Sequence, residues 1–542
     1  MNIYQYINAH VQASPDLPAL VELSDNESHR ITYQEFDRSV KALASYLIEC
    51  GIERQDRVIV MVPMQIELYV AICAVIRIGA VAVFIDPHMP REEFEHCCDQ
   101  VAAKAYISSR KGQLLRLLNA SLRRIKCHIT TDWMPGFLAK PMQSILQQGV
   151  VNDLPELNCA EDEPALVGFT TGSSGKPKGS IRTHKFLNAQ IEALYQPSEK
   201  RAARIDVPGF AVLPLDNLIR GRTTLLPPIV PGKVAEINAD IVISQVLARQ
   251  PDMMSGSPAY LDKICRAALA SGITLPSINI LFSGGAPISK TQLQQMKQVW
   301  TNARIMMVYG STEAEPVSRI DADEFIEQCH PLTEQGAGLC VGYPIEQIEA
   351  RIIDIQMKSA SVGSVDAIAL TNYSVGEIVV KGAHVNTQYW SGSVDQKRNK
   401  IQADDGIWHR MGDAGYIDDL GRLWLVGRCH TAMPSPWSAE LTPAGLFDYQ
   451  RAPWIFSYQV ELVINMLPFV KQSAYVRHNN QFYLLIESRA SQLTAEEQRA
   501  CIREAIGNFP LDTIVFEKLP VDARHNSKIN YTEVKAKLEA SA

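Results

Sequence analysis

Thr170-Thr171-Gly172-Ser173-Ser174-Gly175-Lys176-Pro177-Lys178-Gly179 is the densest chemical signal in the chain. It follows Ala165-Leu166-Val167-Gly168-Phe169, an apolar run that reads as a buried strand. Glycines let backbone N–H groups approach an anion closely, and the hydroxyls and lysines add donors and positive charge. A Ser/Gly run alone describes a surface loop. Hydroxyls, glycines and lysines together, directly after a buried strand, point instead to capture of a polyphosphate. Lys176 is followed by Pro177, so the run is not the G-x-x-x-x-G-K-[ST] loop of P-loop nucleotidases.

Outward from this loop, helical and strand patterns alternate. Val40, Leu43, Ala44, Leu47 and Ile48 share one helical face, and Gly51 ends that helix. Arg57–Val62 reads as a buried strand. Leu68–Ile85 reads as a buried helix that ends near Gly79 and a buried strand that follows it. Further strands are expected at Ile278–Phe282 and Ala303–Tyr309. Strands separated by amphipathic helices imply parallel sheets covered on both faces. After about residue 340 short strands dominate, at Arg351–Ile355 and Gly376–Gly382, and they suggest a β-rich subdomain. A compact α+β tail follows a Pro-rich stretch. It contains a strand at Phe482–Ile486 and a helix announced by the capping box Thr494-Ala495-Glu496-Glu497.

Composition removes several classes of function. The 542 residues carry 52 Lys+Arg against 59 Asp+Glu, a net charge of −7, with 46% hydrophobic and 20% charged residues. Disorder and fibrous rods are excluded, and there is no basic footprint for nucleic acid. Arg77 and Gly79 interrupt the most apolar stretch, so no membrane span is expected. Met1–Tyr6 has no secretory pattern, and the 11 cysteines include no C-x-x-C pair. A reducing cytoplasmic location is the expectation.

The loop resembles the T-S-G-[ST]-T-G-x-P-K-G phosphate loop of the adenylate-forming (AMP-binding) superfamily, which includes acyl-CoA synthetases and fatty acyl-AMP ligases. Thr171 and Ser174 depart from it only by exchanging one hydroxyl residue for another. Further resemblances come in the family's order. Ser283-Gly284-Gly285-Ala286-Pro287 looks like the adenine-flanking turn, and Tyr309-Gly310-Ser311-Thr312-Glu313 like the aromatic-G-x-T-E motif. Gly412-Asp413-Ala414-Gly415-Tyr416, with Gly427-Arg428, looks like the ribose segment. Arg524-His525-Asn526-Ser527-Lys528-Ile529 looks like the segment with the C-terminal catalytic lysine.

The resemblance implies an α/β fold. A large N-terminal AMP-binding domain, residues 1–427, would contain two layered αβ subdomains and the β-rich subdomain. A small α+β C-terminal cap, residues 428–542, would be mobile and carry the catalytic lysine. The implied reaction joins a carboxylate and MgATP to give an acyl-adenylate and pyrophosphate. Thr170, Thr171, Gly172, Ser173, Ser174, Gly175 and Lys178 would hold phosphates, and Glu313 would hold Mg²⁺. Thr312 would hydrogen-bond the α-phosphate. Tyr309 would stack on adenine, with Gly285, Ala286 and Pro287 across from it. Asp413 and Arg428 would bind the ribose, and Lys528 would bridge the carboxylate and the α-phosphate. His184 is either a residue on the carboxylate side or a structural one. A small-molecule carboxylic acid is the implied partner, with CoA or a carrier protein as candidates for the second step.

Two departures concern that second step. The hinge run G-R-x-x-D-x-I-K-x-x-G reads Gly427-Arg428-Cys429-His430-Thr431-Ala432-Met433-Pro434, without the acid, the basic residue or the second glycine. The P-L-F-H stretch, whose aromatic-His pair gates thiol access, reads Pro214-Leu215-Asp216-Asn217. Several segments are similar to olefin β-lactone synthetases, among them Trp408-His409-Arg410-Met411-Gly412-Asp413 and Leu423-Trp424-Leu425-Val426-Gly427-Arg428. In those enzymes the β-hydroxyl of the adenylated acid displaces AMP and closes a lactone, so no external thiol is needed. Thioester formation with CoA or a carrier protein is the alternative. A nucleotide-binding scaffold without catalysis is the third, against which Lys528 and Glu313 speak.

Overall fold

The computed structural model describes residues 2–24, 29–151, 154, 158–170, 177–195, 204–229, 236–390, 393–435, 454–520 and 529–541. Two large sheets organise them. The smaller has seven strands, in the order Lys140–Pro141, Cys127–Thr130, Ala105–Ser108, Arg57–Met61, Val81–Phe84, Pro164–Thr170, Lys178–Thr183. All its pairings are parallel except the last, which joins the two arms of the phosphate loop, with Phe169 opposite Gly179 and Thr170 opposite Lys178.

The larger sheet has 14 strands. Its parallel part runs through Pro18–Glu22, Thr223–Leu226, Ile205–Pro208, Met253–Gly256, Ile280–Gly284 and Arg304–Ser311. Direction then reverses at Ala314–Asp321. The β-rich region continues this sheet, because Ser318 pairs Pro344 and Arg319 pairs Tyr343. It is therefore joined edge to edge with the parallel part.

Helix Ile66–Arg77 is buried from Leu68 to Ile76, which explains why its sequence is apolar all round. Helix Tyr33–Glu49 starts at a capping box formed by Thr32 and Glu35 and stops before Gly51, whose φ is +78°. Three expected strands shift, the one at Ala303–Tyr309 to Arg304–Ser311. The one beginning at Ile278 starts at Ile280. The one expected at Arg351–Ile355 spans Ile348–Ile353, because Asp354 turns the chain by accepting from the N–H of Gln356 at 2.8 Å.

The C-terminal region has its own sheet, Val470–His478, Gln481–Ser488 and Thr513–Phe516, and its own apolar cluster around Val460, Tyr475, Leu484 and Ile502. Helix Ala495–Ile506 carries the expected capping box, with Thr494 and Glu497 bonded reciprocally. Among the described residues no helix is long and apolar enough to cross a membrane. All 11 cysteines are free.

Candidate active site

The carboxyl ends of the parallel strands gather the motifs at one rim, where open α/β sheets hold their ligands. Strands Ile280–Gly284 and Arg304–Ser311 are neighbours, with Gly284 opposite Val308. A Cβ on Gly284 would lie 2.6 Å from the Val308 carbonyl oxygen, so this approach requires glycine. Gly285 follows at φ +84° and turns the chain into Ala286 and Pro287. That turn leaves its strand beside the one that carries Tyr309.

Three elements converge on one carboxylate. The Tyr309 hydroxyl donates to Asp413 Oδ2 at 2.7 Å, and Arg428 Nη1 lies 3.0 Å from Asp413 Oδ1. Asp413 and Arg428 face each other across antiparallel strands, Gly406–Ile417 and Leu423–Arg428. Asp413 is buried, whereas the Arg428 side chain is 41% exposed. The Asp413 charge holds the guanidinium of Arg428 above its ordinary range, against burial. Burial, reinforced by Asp413, raises the Tyr309 phenol well above its usual range.

Thr312 and Glu313 form the turn between strands Arg304–Ser311 and Ala314–Asp321, with Ser311 opposite Ala314. Arg182 Nη2 donates to the Thr312 carbonyl at 3.1 Å, and the Asn386 N–H donates to the Glu313 carbonyl at 2.6 Å. The Tyr389 hydroxyl donates to Glu313 Oε1 at 3.1 Å. Tyr389 is held there because its segment runs against strand Lys178–Thr183, with Ser180 bridging Tyr389 and the Trp390 N–H donating to the Gly179 carbonyl at 2.7 Å. Lys178 Nζ lies 5.9 Å and Lys400 Nζ 5.0 Å from the Tyr389 ring centre. Lys400 donates to the Asn386 carbonyl and lies 3.1 Å from His409 Nδ1. Burial pushes Lys400 down to about 7, with Glu313 opposing.

Among the described residues no three His, Cys, Asp or Glu side chains gather as a metal cage. Glu313 offers a carboxylate beside Tyr389, with Lys178 and Lys400 near that ring. A single hard oxygen ligand fits a Mg²⁺ that arrives with phosphate oxygens and keeps several waters, and does not fit a resident structural ion.

Thr171, Gly172, Ser173, Ser174, Gly175, Lys176 and Lys528 lie outside the described residues, and of Thr170 the backbone alone is described. Segments Gly209–Leu218 and Ser255–Pro258 are adjacent, since the Gly209 N–H donates to the Ser255 carbonyl at 2.6 Å. His184 is not at this rim. It is buried beside Glu163 and Arg54 near the start of strand Pro164–Thr170, and burial pushes it down to about 4. The structural alternative for His184 therefore holds.

The positions that resemble the P-L-F-H stretch carry a buried polar network. Asp216 is 4% exposed and Asn217 fully buried, both on helix Leu213–Ile219. Arg220 Nε lies 3.0 Å and Arg222 Nη1 3.9 Å from Asp216 Oδ2. Asn217 Nδ2 donates to Asp206 Oδ2 at 2.7 Å. Burial pushes Asp206 up to about 7, against Asn217 and Arg222. After Arg428 the chain makes a short 3-10 turn, Cys429–Thr431, and Met433–Pro434 pairs with Trp454–Ile455. Glu461 is also buried. It accepts from the Tyr531 hydroxyl at 2.7 Å and the Tyr475 N–H at 2.7 Å, and burial pushes it up to about 8.

Arg182, Tyr389 and Lys400 went unnoticed in the sequence. The only hint was the aromatic pair Tyr389-Trp390 in an otherwise polar loop.

The profile of the family described as AMP-binding enzyme matches residues 7–390. The chain is similar to the olefin beta-lactone synthetase of Xanthomonas campestris pv. campestris, 28% identical over 519 residues, covering 92% of this chain and 89% of that protein. It is similar to the long-chain-fatty-acid–CoA ligase FadD13 of Mycobacterium tuberculosis, 24% identical over 453 residues, covering 79% of this chain and 78% of that one. Its fold is that of ATP-bound MatB from Rhodopseudomonas palustris, with a TM-score of 0.77 at 16% identity, covering 99% of each chain.

Proposed function

This chain belongs to the AMP-binding enzyme family and is an ATP-dependent adenylate-forming ligase, and we propose that its acid is a medium or long acyl chain with a β-hydroxyl that displaces AMP to close a β-lactone. In the first step a carboxylate oxygen attacks the α-phosphate and pyrophosphate leaves. Two anions must meet, so the site has to offset repulsion and the charge that builds on the phosphates.

Lys178 and the hydroxyls and amides of residues 170–175 take the β- and γ-phosphates. Thr312 donates to the α-phosphate from a turn whose backbone is pinned by Arg182 and Asn386. Glu313 is the residue that would hold Mg²⁺, and the ion would supply charge neutralisation at the phosphates. Tyr389 restrains the Glu313 carboxylate through its hydroxyl, and Lys400 steadies Tyr389 from behind. Asp413 accepts from the ribose hydroxyls while Arg428 donates to them. Tyr309 lies along adenine, opposite Gly285, Ala286 and Pro287. Lys528, on a mobile cap formed by residues 428–542, bridges the carboxylate and the α-phosphate.

In the second step the β-hydroxyl oxygen bonds to the acyl carbon, the acyl–phosphate bond breaks, AMP takes the electron pair, and the hydroxyl proton is released. One observation carries this proposal. Asp216 and Asn217, where the family's thiol gate has an aromatic-His pair, are spent on Arg220, Arg222 and Asp206 and cannot swing as a gate. The similarity to the Xanthomonas enzyme supports the same choice. The similarity to FadD13 favours a second reading, transfer to CoA.

The test incubates the enzyme with ATP, Mg²⁺ and chain-matched acids with and without the β-hydroxyl. AMP release with the hydroxy acid alone, in the absence of thiol, is expected. AMP release that depends on CoA would sink the lactone step and favour the thioester.

A further inference from the structure

Leu114, Leu117 and Leu118 have the spacing of one helical face, yet they are 55%, 71% and 61% exposed. They lie on the short helix Arg110–Leu114 and the 3-10 turn Leu115–Leu117 that continues it. The rotation of this helix is set from beneath. A Cβ on Gly112 would lie 2.7 Å from Ser108 Cβ, so the glycine edge packs against strand Ala105–Ser108. Gln113 is buried, and its Nε2 donates to the Ile129 carbonyl at 2.8 Å. A glutamine therefore faces the protein and three leucines face water, the reverse of an ordinary surface helix.

The segment after strand Cys127–Thr130 adds aromatic side chains beside them. Trp133 is 77% and Phe137 88% exposed, and Leu138 is exposed next to Phe137. Two contacts hold this segment against the helix. The Arg110 N–H donates to Asp132 Oδ2 at 2.6 Å, and Arg116 Nη1 donates to the Leu138 carbonyl at 2.6 Å. Both segments leave the carboxyl ends of parallel strands, at the rim where strand Pro164–Thr170 also ends. Contiguous exposed apolar side chains rimmed by polar ones mark an interaction surface.

Charge indicates what it meets. Residues 110–140 hold seven Lys and Arg and one acid, Asp132, in a chain whose net charge is −7. Arg110, Lys111 and Arg123 are exposed. Arg116 and Arg123 donate to the carbonyls of Leu138 and Leu117 and not to acids, so their charge is not cancelled. The neighbouring helix Arg91–Val101 brings Glu92, Glu93, Glu95 and Asp99, of which Glu95 pairs with Arg91 and Asp99 accepts from Ser121. The complement of the patch is anionic. Like charge on both copies opposes pairing with a second molecule of this chain. The aromatic side chains project and do not line a groove, which suits insertion at the headgroup level of a bilayer, with the basic groups left among the phosphates.

We propose that residues 110–138 are a docking surface that lays this protein on an anionic lipid bilayer without crossing it. Trp133, Phe137 and the three leucines enter the interface, and Arg110, Lys111, Arg116 and Arg123 face the lipid phosphates.

Co-sedimentation of the full chain with vesicles tests it, using phosphatidylcholine alone and phosphatidylcholine mixed with phosphatidylglycerol. Binding to the mixed vesicles is expected, about tenfold or more tighter than to the neutral ones, and weakening as salt rises. Trp133→Ala with Phe137→Ala should weaken it about tenfold or more. Arg110→Glu with Lys111→Glu should do the same. All four side chains are exposed, so thermal melting should be unchanged in both double variants. Absence of binding to either vesicle, equal binding to the neutral ones, or undiminished binding in either double variant would overturn the proposal. A dimer that forms without lipid and is dissolved by the aromatic double variant, with no vesicle binding, would overturn it too, since the surface would then be a protein interface. Each result is independent of whether the crevice makes a lactone or a thioester.

Discussion

The nucleotide wall and the gate helix treat their polar side chains in opposite ways. On the nucleotide wall, Tyr309, Asp413 and Arg428 form a chain of hydrogen bonds, but Arg428 keeps 41% of its side chain in solvent. These groups are prearranged and still have donors and acceptors to offer. At the gate helix, Asp206, Asp216, Asn217 and Arg222 turn inward and are all nearly inaccessible. Burial in the first case orients groups at a surface, whereas in the second it commits them to one another. On the proposed reading, the first region serves adenylation and the second has lost thiol access.

The largest expected effect belongs to Lys528, which separates binding from reaction on the nucleotide wall. Lys528→Ala should lower pyrophosphate exchange about a thousandfold, as loss of a positioned charge at a reacting centre does, while ATP still binds. Unchanged exchange would remove the lysine from the site. Asp413→Ala comes next, because it orphans both Tyr309 and Arg428 and removes the ribose acceptor. Two charge-assisted hydrogen bonds correspond to roughly a hundredfold rise in the KM for ATP, with kcat much less affected. A kcat loss alone would put Asp413 in the chemistry and not in binding.

At the gate helix the expected losses are of stability. Asn217→His writes one gate residue back, and leaves Asp206 without its amide donor. Unfolding free energy should fall by about 1–3 kcal/mol in chemical denaturation, with no CoA-dependent AMP release gained. A stable variant that turns over CoA would dissolve the contrast between the two regions. The smallest effect is a pH slope. Asp206 sits at about 7 in the folded chain, above its ordinary carboxylate value, because burial favours the neutral acid. The folded state therefore holds this proton more tightly than the unfolded state. Its contribution to stability is present below the unfolded pKa and is lost as pH rises through about 7. Wild type should lose stability relative to Asp206→Asn across that interval, and parallel stability curves would contradict the buried-acid assignment.

Much of this was legible because it is local. The strand before Thr170, the buried helix ending near Gly79 and the box at Thr494 are set by periodicity and short-range capping, and the structure has each of them. The order of the motifs gave the superfamily. What stayed hidden depends on chain segments far apart in sequence. Lys400 stands behind Tyr389, which bonds Glu313 and depends on pairing of residues 386–390 with strand Lys178–Thr183. The β-rich region could be seen as strands, but not as a continuation of the large sheet, which rests on two residue pairs between Ser318–Arg319 and Tyr343–Pro344. Asp216 and Asn217 were visible as departures from a pattern. That they are paired to Arg222 and Asp206 needed coordinates.

The central claim is that adenylation has been kept and thiol capture replaced by the substrate's own hydroxyl. The most direct measurement follows a carboxyl-¹³C-labelled β-hydroxy acid by NMR during turnover with ATP and Mg²⁺, with CoA present from the start. The account predicts that the labelled carbon appears as the carbonyl of a four-membered lactone, with AMP released in equal amount and CoA unconsumed. A labelled thioester carbonyl, formed at the expense of CoA, would contradict it.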